Sequence, residues 1–193
     1  MHTRSLTAGL LVAGMLASCQ TRRVFADDVG PVRVGVVWYD VGLPSACRVD
    51  VDVVEKELRA VFDAMGVVVD WETPDGAPID DRGRTLMIAV PDDALGRPLL
   101  LGATIRGSRR SWVFACAVAR ELARPTRRAP SRASLSRAVG RVAAHELVHV
   151  LLPGLPHAGS GLMAARWYPH VLSGATLFAD PATRLAIRRV ALD

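Results

Sequence analysis

Residues 145–157 read HELVHVLLPGLPH and hold three of the five histidines in this 193-residue chain. His145 and His149 are four residues apart, so on a helix both imidazoles would lie on one face, close enough to bind the same ion. Glu146 is adjacent to the first histidine, where its carboxylate can take a proton from a bound water. This stretch therefore predicts a metal site on a helix.

The third ligand is expected from His157, because a tight turn at Pro153-Gly154 would bring the chain back toward the ion. The last glutamate of the chain is Glu146, which leaves Asp180 as the alternative. A purely structural interpretation is also open, with two hydrogen-bonded core histidines and Glu146 paired to an arginine such as Arg141. We favour the metal, since a buried acid between two histidines is costly without it.

The stretch resembles the metzincin zinc-peptidase motif HExxHxxGxxH with two residues added before the glycine. Removing Leu152 and Pro153 leaves HELVHVLGLPH, and residues 154–157 keep the Gly-x-x-His ending. Residues 159–163, GSGLM, are similar to the Met-turn of that family in a short form, as in compact bacterial proteins. Met163 follows the third histidine by only six residues.

This resemblance implies a zinc metalloendopeptidase that hydrolyses peptide bonds through a metal-activated water, with Glu146 as general base. The implied zinc ligands are His145, His149 and His157. Met163 would support the site from below, or act as ordinary core filling. Tyr168 would contribute to the transition state, line the cleft or cap the core.

Five segments are typical of strands: 31–38, 67–71, 84–90, 99–106 and 111–118, the last running into a helical turn through residue 122. Apolar spacing predicts helices over 49–65, from Ser131 or Ser134 to about 152, and from about Asp180 to the end. These segments predict a single α/β (α+β) domain over 31–193. In the resemblance, they correspond to a mixed twisted sheet of about five strands with an N-terminal helix, an active-site helix, a Met-turn and a C-terminal helix. The resemblance also implies that an edge strand, 99–106 or 111–118, holds an extended peptide.

The first thirty residues predict export. Residues 6–17 are apolar or small, and this run is too short to span a hydrocarbon core of about 30 Å. Residues 16–19, LASC, resemble the lipobox of bacterial lipoproteins. The resemblance implies a signal peptide over 1–18, lipidation at Cys19, a tether over 19–30 and anchoring to the cell envelope. The alternative is cleavage after Ala26, which would give a secreted soluble protein.

Lipidation of Cys19 would leave Cys47 and Cys116 as one pair in an oxidising compartment. A disulfide between them is one interpretation, and two buried free thiols are the other. Two further roles stay open: Cys116 as a fourth metal ligand, and Cys47 as a mask over the zinc.

Charge is unevenly distributed. Residues 40–93 contain 13 acids and 5 bases, whereas residues 97–141 contain 11 arginines and one acid, Glu121. The basic half would attract an acidic substrate or anionic lipid headgroups, or it is an ordinary solvated surface. The net charge of +5 comes from 23 arginines and a single lysine, and alone it does not indicate nucleic-acid binding.

Half of the residues are hydrophobic and 22% are charged, which excludes a disordered chain. We expect a monomer that acts on a peptide or protein, binds no nucleic acid and contacts a membrane only through its lipid anchor. The competing hypothesis is a non-catalytic exported envelope lipoprotein with a structural metal site or an interaction role. The enzyme is favoured because a structural zinc is normally closed by a fourth protein ligand, and the sequence offers no evident one.

Overall fold

A five-stranded sheet covered by helices makes up the described part of the computed structural model, which comprises residues 31–74, 83–92 and 100–190. The predicted signal peptide, the lipidation at Cys19 and the tether lie outside the described residues and stay predictions. None of the helices in the described ranges combines the length and hydrophobicity needed to cross a bilayer.

The sheet is mixed. Its strands are β1 (Val32–Asp40), β2 (Val67–Glu72), β3 (Thr85–Val90), β4 (Gly102–Thr104) and β5 (Arg110–Phe114). They lie in the order β2-β1-β3-β5-β4, with β4 antiparallel to β5 and every other pairing parallel. Central strands of a parallel sheet are covered on both faces, which explains the nearly continuous apolar run of β1. The predicted mixed sheet of about five strands is confirmed.

Five helices are described: α1 (Val51–Asp63), α2 (Ala115–Ala123), α3 (Arg132–Leu151), α4 (Pro169–Ser173) and α5 (Pro181–Val190). The face of α1 that carries Val54 and Leu58 is buried and packs against α3. A Cβ atom at Gly140 of α3 would lie 2.8 Å from the Val54 carbonyl oxygen. The two helices therefore approach closely because this position has no side chain.

Helix α3 is buried along most of its length. Ser131 caps it by accepting a hydrogen bond of 3.2 Å from the Ser134 backbone N–H. Arg141 is fully buried (0% exposed), and its Nε lies 2.6 Å from Glu57 Oε1 on α1. Its other nitrogens donate to the carbonyl oxygens of Val171 and Gly174, both at 2.7 Å. Arg141 thus binds Glu57 of α1 and two carbonyl groups at and just after α4. It is not the partner of Glu146.

The predicted strand over 111–118 is wrong in its second half. Strand β5 ends at Phe114, and α2 begins directly at Ala115. Alanines at three of the first five helical positions explain this, since alanine is the strongest helix former. Strand β5 lies between β3 and β4, so 111–118 cannot be the peptide-binding edge, and β4 is the outermost of the described strands on this side of the sheet. Helix α4 was not predicted.

A disulfide joins Cys47, in a short 3₁₀ turn before α1, to Cys116 in the first turn of α2. Their Cα atoms are 5.0 Å apart, within the usual range for a disulfide. The bond leaves neither sulfur free to bind or mask a metal, which removes both of those alternatives. Disulfides persist mainly in oxidising compartments, and export stays a prediction.

Candidate metal centre

The three histidines of residues 145–157 converge on one point. Helix α3 supplies His145 and His149 on adjacent turns, and the chain beyond the helix supplies His157. The Nε2 atoms form a nearly equilateral triangle: 3.2 Å from His145 to His149, 3.1 Å from His149 to His157 and 3.2 Å from His157 to His145. Each ring thus presents the same nitrogen to a common centre.

This triangle fits a zinc ion. Tetrahedral zinc with Zn–N bonds of about 2.0–2.1 Å needs ligand nitrogens about 3.3–3.4 Å apart, and the observed separations are within about 0.3 Å of that value. Among the described residues, these three side chains are the only group of three or more His, Cys, Asp or Glu residues placed to share an ion. The structure therefore holds a three-histidine group that can bind a metal.

A tight turn after α3 returns His157 to the site. The Leu155 N–H donates to the Leu152 carbonyl at 3.0 Å, and Gly154 between them has φ of +101°. This backbone conformation is favourable for glycine and strained for other residues. The turn therefore requires the glycine of the Gly-x-x-His ending at position 154. The turn accommodates the two residues by which this stretch exceeds the metzincin spacing.

A second turn, over residues 161–164, orients the first histidine. His145 is buried, and its Nδ1 lies 2.7 Å from the Leu162 carbonyl oxygen. Donation of the Nδ1 proton to that oxygen leaves Nε2 unprotonated and facing the other two rings, as metal-binding histidines require. The adjacent Met163 is fully buried in the core, and its carbonyl accepts from the Ala158 N–H at 2.6 Å. The support that Met163 gives to the metal stays a prediction.

Burial sets the protonation of His145 and His149. Desolvation lowers the pKa of His145 to about 4 and also lowers the pKa of His149. Both rings are therefore neutral at physiological pH in the metal-free protein. A metal can then bind them without first displacing a proton.

Glu146 points from α3 toward the edge strand and is only 5% exposed. Thr104 of β4 donates a hydrogen bond of 2.6 Å to Glu146 Oε2. Burial raises the pKa of Glu146 to about 7, although the Thr104 hydrogen bond favours the ionised carboxylate. Glu146 is outside the group of possible ligands, so its carboxylate stays available for proton transfer.

A cleft of about 820 Å³ opens over the histidines and Glu146. Trp167 lies on one wall, and its ring is nearly perpendicular to that of His145, with 5.6 Å between ring centroids. Tyr168 also lines the cleft and is 53% exposed, but its ring stacks on His170 at 5.7 Å. Trp167 is thus in ring contact with a candidate ligand, and a chemical role for Tyr168 stays a prediction.

The alternative third ligand, Asp180, has a different role. Its Oδ1 accepts from the backbone N–H groups of Ala182 and Thr183, both at 3.0 Å, at the start of α5. Its Oδ2 accepts from the Thr183 hydroxyl at 2.6 Å. These bonds lower the pKa of Asp180 and make it a helix cap.

Sequence reasoning missed the residues of β4 that contact Glu146. Gly102 and Thr104 lie in the segment predicted as a strand over 99–106, but the sequence does not show which side chains of that strand face α3. It also missed two arginines on the cleft wall, Arg106 and Arg166. The sequence around these two arginines does not mark them as site residues, because arginine is common throughout the chain.

Solved structures with similar folds include two zinc-peptidase structures whose likeness extends over most of the domain. An archaemetzincin from Methanopyrus kandleri is 15% identical and has a TM-score of 0.54, with 84% of this chain and 97% of that chain covered. A zinc-dependent peptidase from Methanocorpusculum labreanum is 13% identical with a TM-score of 0.54, and the match covers 79% of this chain and 99% of that chain. The sequence matches no family model and no curated protein. At these identities the likeness concerns the fold alone, which this chain shares with the two peptidase structures.

Proposed function

We propose that this protein is a zinc-dependent peptidase with His145, His149 and His157 as the metal ligands. The observation that carries the proposal is the triangle of three Nε2 atoms, 3.1–3.2 Å apart, beside a buried glutamate in an open cleft. The fold supports it, because the same architecture occurs in an archaemetzincin and in a zinc-dependent peptidase.

The protein's own residues supply the remaining parts of peptide hydrolysis. When bound, zinc would lower the pKa of a water molecule and polarise the substrate carbonyl. Glu146 takes the proton from the attacking water and transfers it to the leaving nitrogen. The outer edge of β4 is unpaired among the described strands, so its backbone groups can hydrogen-bond to an extended substrate.

A structural metal site is the competing function. Such sites are normally closed by four protein ligands, whereas catalytic sites keep a position for water or substrate. Within the described residues, only the three histidines converge, and they do so in a cleft rather than in the core. We therefore favour the catalytic site.

Metal removal tests this proposal. We expect the purified protein to bind one zinc per chain, to cleave casein or a peptide library, to lose this activity when a chelator removes the zinc, and to recover it when zinc is returned. Zinc content is measured by atomic emission and cleavage by mass spectrometry. Stoichiometric zinc with no cleavage of any library member would favour the structural site instead.

The charges of the cleft predict a substrate preference. Arg106 and Arg166 line it and have no ion-pair partner among the described residues, while Arg124 lies 3.1 Å from the buried Glu121. Two exposed cationic side chains in the cleft lining should attract acidic substrate side chains and increase the association rate in a salt-dependent manner.

We expect peptides with Asp or Glu near the scissile bond to have a kcat/KM about 3–10-fold higher than matched peptides with Lys. The preference should diminish at 0.5 M salt and in an Arg106→Gln, Arg166→Gln double variant. A double variant of Arg188 and Arg189, exposed on α5 away from the cleft lining, should keep it. Faster cleavage of the lysine peptides, or an unchanged preference in the cleft variant, would contradict this assignment.

A further inference from the structure

Strand β4 touches the Glu146 side chain at two points. Thr104 Oγ1 lies 2.6 Å from Glu146 Oε2 and 3.1 Å from the Glu146 carbonyl oxygen. A Cβ atom at Gly102 would lie 2.7 Å from Oε1 and 2.8 Å from Cγ of the same glutamate. One residue of the strand therefore binds the carboxylate, and the other leaves the space that the carboxylate occupies.

The hydroxyl of Thr104 has a second partner that fixes its direction. Ser111 of β5 is fully buried, and its Oγ lies 2.8 Å from Thr104 Oγ1. Because Thr104 has one proton to donate and the carboxylate is its closest acceptor, the consistent arrangement is donation from Ser111 to Thr104 and from Thr104 to Glu146. Two neighbouring strands thus hold the carboxylate in one rotamer.

We propose that Thr104 is the positioning residue for Glu146, supported by Ser111 and by the absence of a side chain at Gly102. This inference rests on the proposed peptidase function, since it concerns the group that moves the proton. A carboxylate so held faces the cleft in one orientation, and a misplacement of about 1 Å in such a group can reduce the rate by about 100-fold.

Substitutions at Thr104 separate positioning from packing. Thr104→Val keeps the shape and removes the hydroxyl, so kcat should fall about 10–100-fold with KM changed less than about 3-fold and zinc content unchanged. Thr104→Ser should recover most of the lost kcat. Gly102→Ala should reduce kcat in the same way, because the added methyl group displaces the glutamate.

Thr85→Val is the matched control. Thr85 is a buried threonine of β3 whose hydroxyl has no hydrogen-bond partner among the described residues, so this variant should keep wild-type kcat. The positioning role is overturned if Thr104→Val keeps kcat within about 2-fold of wild type, or if Thr104→Ser is as impaired as Thr104→Val.

A double-mutant cycle in the metal-free protein tests the contact without any activity assay. Thr104→Val should lower the urea midpoint of the wild type, and it should lower the midpoint of Glu146→Ala by less than half as much. Equal shifts in the two backgrounds would show that Thr104 does not act through Glu146, and would overturn the inference. Lack of cleavage by the zinc-loaded wild type would instead refute the proposed function. The urea midpoints would still decide whether Thr104 is coupled to Glu146.

Discussion

Glu146→Gln is expected to lower kcat/KM for peptide cleavage by about 10²–10⁴-fold while zinc binding stays at the wild-type level. Glutamine has nearly the same size as glutamate and can still accept the hydrogen bond from Thr104. It cannot take a proton from water at neutral pH. Since Glu146 is outside the group of possible ligands, its replacement should remove proton transfer without disturbing the metal.

The measurement is steady-state cleavage of one fluorogenic peptide together with zinc analysis of each sample. Glu55→Gln is the matched control, because Glu55 lies on α1 in an ion pair with Arg59 and does not line the cleft. A Glu146→Gln enzyme with activity close to that of the control would contradict the role of Glu146 as general base.

Stability should change in the opposite direction to activity. In the metal-free wild type, burial raises the pKa of Glu146 from 4.5 to about 7, so the folded state binds more protons than the unfolded state between these values. The free energy of unfolding therefore falls as pH rises through this window, by up to about 3 kcal/mol. Glutamine lacks this titration, so Glu146→Gln should be more stable than the wild type at pH 8 and nearly equal to it at pH 4. Urea unfolding of the two metal-free proteins at both pH values measures the difference.

Such a reversal would identify Glu146 as a residue that costs stability in return for the proposed function. A carboxylate buried at neutral pH is unfavourable, and natural proteins keep such groups mainly at functional sites. If Glu146→Gln proved less stable than the wild type at pH 8, the charged carboxylate would have to be stabilised by contacts beyond Thr104.

The central part of the site could be predicted from the sequence because it is local. His145 and His149 are one helical turn apart, and His157 follows a Pro-Gly stop, so short-range geometry suffices to bring the three rings together. The same holds for the order of the five strands and of α1, α3 and α5, which follows from hydrophobic periodicity. The end of β5 at Phe114 was missed, because Val113 and Val118 favour a strand and the alanines between them favour a helix.

The surroundings of Glu146 depend on long-range contacts and could not be predicted. Thr104 is 42 positions away in sequence from its acceptor, and it reaches Glu146 only because β4 pairs antiparallel with β5 at the edge of the sheet. A shift of one residue in that pairing would turn Thr104 to the opposite face. Likewise, the core position of Arg141 follows from Glu57 and from two carbonyl groups of the α4 segment, none of which is near it in the chain.

His157→Ala is expected to weaken zinc binding by more than about 100-fold, because loss of a direct ligand should exceed the 10–100-fold effect of removing an outer hydrogen-bond partner. His157 is exposed, so its replacement should cost the metal-free protein little stability. Peptide cleavage at one equivalent of zinc should be lost together with the metal.

His170→Ala provides the comparison, since His170 is also exposed but lies outside the three-histidine group. Zinc affinity is measured by competition with a chromophoric chelator, and the zinc-dependent rise in Tm gives a second measure, because a ligand stabilises the folded state in proportion to the logarithm of its concentration over Kd. Wild-type zinc affinity in His157→Ala would mean that the ion is bound without this ring. The turn at Gly154, which returns His157 to the two helical histidines, would then have no part in the metal site, and the match between this longer spacing and the metzincin motif would have to be abandoned.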